Sequence, residues 1–179
     1  QITYREYRTI KRIGDSVLRN YPSSQYLYVG LGASPTAVIA YLEMARGSQA
    51  VAHLPLSSGM ALLRSYETEA ERAQVIDQVL REHFSRFLPD HQIQGKKILL
   101  IDYSIKAISL PFAGERLQAA LESRGSATEV KMLALTRNPD LADVLHSRGV
   151  DIYKISQFAK GLFLTLGFDE YRVNYRFVV

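Results

Sequence analysis

The chain has 179 residues, 47% hydrophobic and 22% charged, with a formal net charge of +4 and no cysteine. That length suits a single domain, 1–179, with a substantial core, and the lack of cysteine excludes disulfides, thiol nucleophiles and thiolate metal sites. No apolar run approaches the ~20 residues of a membrane span; the longest candidate, around Leu162–Phe168, is short and broken by Gly167.

We therefore expect a soluble protein without a membrane partner, the cytoplasm being the favoured compartment. The chain opens on Gln1 rather than Met, which reads as a trimmed chain or a segment of a longer protein. Basic residues are scattered, with small clusters at Lys96-Lys97 and at Arg8, Lys11 and Arg12. A solvated face explains them better than a nucleic-acid footprint, although the modest positive potential suits a phosphorylated small molecule.

In chain order, Tyr4, Tyr7, Ile10, Ile13, Val17 and Leu18 recur at the spacing of one helical face, and Asn20-Tyr21-Pro22 stops that helix. Tyr26–Val29 is a short strand leading into Gly30-Leu31-Gly32-Ala33. Ser34-Pro35 then opens a helix, with a hydroxyl at the N-cap and proline at the first helical position. Val38, Tyr41, Leu42 and Ala45 face inward, and Arg46-Gly47 ends the helix.

Ala50–Leu54 reads as a strand, Pro55–Met60 as a loop, and Thr68–Leu88 as a long helix with Ala73, Ile76, Leu80, Phe84 and Phe87 on one face. Ile98–Asp102 is a strand, followed by a loop and a helix over about Pro111–Arg124 that turns Ala113, Leu117, Ala120 and Leu121 inward. Glu129–Leu135 is the next strand. Asn138-Pro139-Asp140 starts a helix that ends at Arg148-Gly149, and Val150–Tyr153 is a further strand. Strands alternating with amphipathic helices define right-handed βαβ units and an α/β fold with a mostly parallel sheet. The Ala50–Leu88 excursion is expected as a lid or flank, and the alternating tail Tyr171–Val179 as an edge strand.

Chemistry concentrates at two turns. Four apolar residues, Ile98-Leu99-Leu100-Ile101, run directly into Asp102, which marks a buried parallel strand ending at a polar rim. Ligands of open α/β sheets bind outside the carboxyl ends of strands, where Asp102 would accept two hydroxyls of a ribose or hold a magnesium ion through water; a solvated or N-capping carboxylate is the competing account. Gly30-Leu31-Gly32-Ala33-Ser34-Pro35 joins a strand to a helix, where backbone amides can cradle an anion. A tight turn that needs glycine explains the same residues. The dinucleotide fingerprint fails, because Pro35 replaces its third glycine and no acid ends the next strand. Ser34 also fits a nucleophile elbow in part, but Thr36 occupies the final glycine position. His53, His83, His91 and His146 form no i,i+4 metal pair. His83 and His146 are expected at the surface, and His53 near the rim.

Taken together, residues 25–154 resemble the type I phosphoribosyltransferases. The strand Tyr26–Val29 with Leu31-Gly32-Ala33-Ser34 resembles that family's pyrophosphate-contacting loop. Gln94-Gly95-Lys96-Lys97 and Ile98–Asp102 resemble its later strand and first acid, while Gly125 and Glu129–Leu135 continue the match. The chain departs from the family where Tyr103 replaces the second acid and where Ala107-Ile108 replaces the Thr-Gly phosphate turn.

The resemblance implies a ribose-phosphate or nucleotide-type ligand, glycosyl transfer and assistance by magnesium. Asp102 would orient the ribose, and Gly30 through Ser34 would bear on phosphates. Tyr103, Ser104, Lys106 and Ser109 would complete the site. A non-catalytic binding or regulatory module on the same fold is the alternative, with a protein partner or a second copy of the chain as further candidates for recognition.

Overall fold

The computed structural model describes residues 2–56, 70–104 and 108–155. Thr3 opens helix α1 (Tyr4–Asn20) with a reciprocal capping box: the Thr3 hydroxyl accepts the Glu6 N–H at 3.3 Å, and the Glu6 carboxylate accepts the Thr3 N–H at 2.7 Å. Its buried face is Ile10, Ile13, Gly14 and Val17. Tyr4 and Tyr7, expected on that face, are 76% and 42% exposed. Periodicity fixes the side of a helix that turns inward, not how far the layer beneath it extends.

Five strands follow: β1 (Tyr26–Leu31), β2 (Val51–Leu54), β3 (Lys97–Tyr103), β4 (Val130–Thr136) and β5 (Val150–Lys154). They form one sheet in the order β2-β1-β3-β4-β5, and every neighbouring pair is parallel. The connecting helices are α2 (Thr36–Arg46), α3 (Ala70–Phe87), α4 (Ser109–Ser123) and α5 (Ala142–Ser147), with a single helical turn at Asp90–Ile93. The protein is thus α/β, an all-parallel sheet flanked by helices. Most element boundaries fall within two residues of those read from the sequence.

The core has two halves, one on each face of the sheet. On one face Ile10, Ile13 and Val17 of α1 and Val38, Ile39 and Leu42 of α2 pack against Tyr26, Tyr28, Leu99, Ile101, Tyr103, Leu133 and Leu135. On the other, Leu80 and Phe84 of α3, Leu117 and Leu121 of α4 and Leu145 of α5 cover Leu27, Val29, Ile98, Leu100 and Ala134. The alternation along β1 and β3 assigns each side chain to one face, and burial on both faces explains why these strands read as continuous apolar runs.

Three local differences have physical causes. Ala45, expected inward, is exposed, and Ile39 takes its place in the core. Asn138 caps a 3-10 turn, Pro139–Leu141, by accepting the Asp140 N–H at 3.0 Å, and the α-helix proper starts only at Ala142. His83 is half-buried rather than at the surface: its ring lies 4.6 Å from that of Phe87, and its Nε2 is buried with no hydrogen-bond partner among the described residues. Part of the expected lid, 57–69, and the expected tail strand, 171–179, lie outside the described residues.

Candidate functional site

The strand order reverses between β1 and β3. The chain leaves β1 for α2 on one face and leaves β3 for α4 on the other, so the crevice between the two carboxyl ends is the topological switch point of the sheet. Gly32 turns the chain there with φ of +67°, a left-handed conformation that glycine adopts without penalty, and its N–H donates to the Leu54 carbonyl at 2.9 Å. Gly30 serves packing instead: a Cβ there would lie 2.8 Å from Ile39 Cγ1 and 3.3 Å from Pro35. Glycine therefore lets α2 sit close over β1 and aims the turn at the crevice.

Ser34 is not the N-cap of α2. Pro35 occupies the cap position and makes no side-chain cap hydrogen bond. The Ser34 hydroxyl instead donates to Asp102 Oδ1 at 2.6 Å, joining the β1–α2 turn to the tip of β3, and its oxygen lies 3.4 Å from the Tyr103 N–H. The expectation of a capping hydroxyl fails because Ser34 lies one residue before the cap position and its side chain is turned across the crevice to the tip of β3. Among the described residues, the N–H groups of Ala33, Ser34 and Ala37 make no backbone hydrogen bond outside regular helix or strand pairing, at the positive end of an 11-residue helix.

Asp102 is neither a freely solvated carboxylate nor a cap. Desolvation pushes its carboxyl up to about 7, against the opposing effects of the Ser34 hydroxyl and the Tyr103 N–H. Among the described residues, no charged side chain contributes to that shift. Asp102 therefore exchanges its proton near neutrality while in contact with a hydroxyl.

Gly30, Leu31, Gly32, Ala33, Ser34 and Asp102 all lie at this crevice or lead into it, with Gly30 and Leu31 buried in β1. The Tyr103 ring is buried in the core on the α1–α2 face. Ser104 is buried as well, its N–H donating to the Leu135 carbonyl at 2.9 Å. Ser109 opens α4 and is exposed. Lys106 lies outside the described residues. His53, expected near the rim, sits opposite Gly30 in the register of β2, partly buried, and burial holds its pKa below the usual imidazole range. The Ser34–Asp102 bond was not anticipated; its sequence signal is a small hydroxyl two residues after the turn glycine, facing an acid at the end of the neighbouring strand.

These features define an α/β protein with a serine–aspartate pair at the switch point of a parallel sheet. The chain matches no known protein-family model, and a search among curated proteins finds no similar sequence. No helix among the described residues is long and apolar enough to cross a membrane. Among the described residues there is no group of three or more His, Cys, Asp or Glu side chains that could hold a metal ion.

Proposed function

We propose that the protein is phosphoribosyltransferase-like and binds a ribose-phosphate or nucleotide-type ligand at the switch point. One observation carries this reading: the carboxyl of Asp102 meets the Gly32–Ser34 turn across 2.6 Å instead of pointing away from it. Ribose hydroxyls would donate to Asp102, exchanging with the Ser34 hydroxyl. Phosphate oxygens would accept from the amides at the start of α2, where the helix end favours negative charge.

Thermal unfolding with phosphoribosyl pyrophosphate and, separately, with a nucleoside monophosphate tests the proposal. A ligand at about 100 times its dissociation constant stabilises the fold by about 2.7 kcal/mol, so a rise in Tm of several degrees is expected, reduced or lost in Asp102→Ala. Unchanged Tm with both ligands at millimolar concentration overturns it.

A second reading, a binding module that no longer transfers phosphoribosyl groups, is favoured by one further observation: the position of the family's second acid holds Tyr103, whose ring is buried in the core. Under that reading the Tm shift occurs with no release of pyrophosphate. Steady pyrophosphate release in the presence of an acceptor base would instead support transfer.

A further inference from the structure

We propose that Ser34 is a nucleophile toward carboxylic esters, with Asp102 as its base, so that the switch-point crevice carries an acyl-transfer activity beyond ligand binding. Three features of the site converge on this. The Ser34 hydroxyl already donates to Asp102 Oδ1 at 2.6 Å, within the reach that proton transfer from a nucleophile to its base requires. The Tyr103 backbone N–H lies 3.4 Å from the Ser34 oxygen, a second contact that holds the hydroxyl at the tip of β3 beside Asp102. The amides of Ala33, Ser34 and Ala37, which make no backbone hydrogen bond among the described residues, would serve as donors for the oxyanion of a tetrahedral intermediate at the positive end of α2.

The donors present, backbone amides and one carboxyl, suit a neutral acyl substrate. Phosphoryl transfer spreads charge over several oxygens and calls for cations around them. An ester carbonyl is neutral, and its single developing oxyanion needs only neutral donors. An aspartate that holds its proton near neutrality is also a better base at pH 7 to 8 than an ordinary, weakly basic carboxylate.

Ser34 Oγ bonds to the acyl carbon while its proton passes to Asp102. The carbon–oxygen bond to the alcohol breaks, and the leaving alkoxide takes the proton from Asp102. Water then attacks the acyl-serine, giving its proton to Asp102; the carboxylic acid leaves, and Ser34 recovers its hydrogen.

Ester chemistry at Ser34 is independent of the ribose-phosphate reading, since ligand-induced Tm shifts test binding and covalent capture tests the serine. The whole chain is treated with a fluorophosphonate probe at pH 8 and mapped by peptide mass. One adduct on Ser34 is expected, formed at least about tenfold more slowly in Asp102→Asn, with p-nitrophenyl acetate giving a burst of one equivalent of nitrophenol. The wild-type adduct, located by mass, tests Ser34 by itself, and the rate comparison uses Asp102→Asn shown to be folded by its cooperative thermal unfolding. A folded wild-type protein that forms no adduct at Ser34, or one labelled equally fast in Asp102→Asn, overturns the proposal.

Discussion

A carboxyl that keeps its proton to about pH 7 makes the folded state the stronger proton binder. Between the ordinary aspartate value of 3.8 and about 7, the unfolded chain has lost the Asp102 proton and the folded chain still holds it. Its contribution to stability is therefore fully present below pH 4 and is lost as pH rises through 7. Asp102→Asn keeps an acceptor for Ser34 and removes the titration. At pH 8 it is expected to unfold at higher temperature than wild type, by roughly 2 kcal/mol given about 1.4 kcal/mol for each unit of pKa displacement and partial relaxation around the charge. At pH 4 the two curves should meet; a constant gap across that range would show that Asp102 ionises normally. His83 has the opposite sign. Burial first, then the charge of Arg86, hold its pKa below 6.5 against the hydrogen bond to the Pro55 backbone. The stability it contributes is present above pH 6.5 and is lost as pH falls through the folded value. His83→Gln retains a donor for Pro55, so its Tm should fall less than that of wild type between pH 7 and 5, leaving the share due to His53.

At the scale of elements, close packing of helix on helix and helix on strand positions the site. A Cβ on Gly14 of α1 would come within 2.1 Å of the Tyr41 ring of α2, and the Tyr41 hydroxyl donates to Asp15 at 2.6 Å beside a Lys11–Asp15 pair at 2.9 Å. Alanine is the better helix former by about 1 kcal/mol, but overpacking a rigid ring costs about 1–3 kcal/mol. Gly14→Ala is therefore expected to lower stability in chemical denaturation, while adding Tyr41→Ala should relieve the clash and recover helix propensity. Additive effects in that double-mutant cycle would show that Gly14 and Tyr41 do not meet. Gly30→Ala acts nearer the site. Its Cβ would lie 2.8 Å from Ile39 Cγ1, in the first turns of α2, so either the Ile39 side chain or the helix start must shift, and a shift of the helix start would strain the 2.6 Å bond between Ser34 and Asp102.

For the whole molecule, the sequence was most legible where burial on both faces forces apolar runs and where glycine or proline punctuates them. All five strands of the sheet and the reversal of the chain at Gly32 and Gly47 follow from such local signals. Strand order, the half-buried ring of His83 and the pairing of Ser34 with Asp102 across 68 positions of sequence depend on long-range packing that local pattern does not encode. The same holds for the clasp that ties the N-terminal layer to the far edge of the sheet. The Tyr21 hydroxyl, just beyond α1, donates to the Asp151 carboxylate on β5, and the Tyr28 hydroxyl of β1 donates to the Tyr21 carbonyl at 2.6 Å. The Tyr21 ring stands edge-on to Tyr26 at 5.4 Å. Tyr21→Phe removes the hydroxyl and keeps the ring contacts, and Asp151 is exposed, so water satisfies the carboxylate left behind. The loss is then about 1 kcal/mol, a fall in Tm of about 2–4 °C for a chain of this size. Because β5 pairs only with β4 among the described strands, the loosening should be local to that edge. Native-state amide exchange of β5 should accelerate in Tyr21→Phe while the amides of β1 and β3 change only by the global loss; equal acceleration in all strands would mean that the clasp holds the whole fold and not its edge.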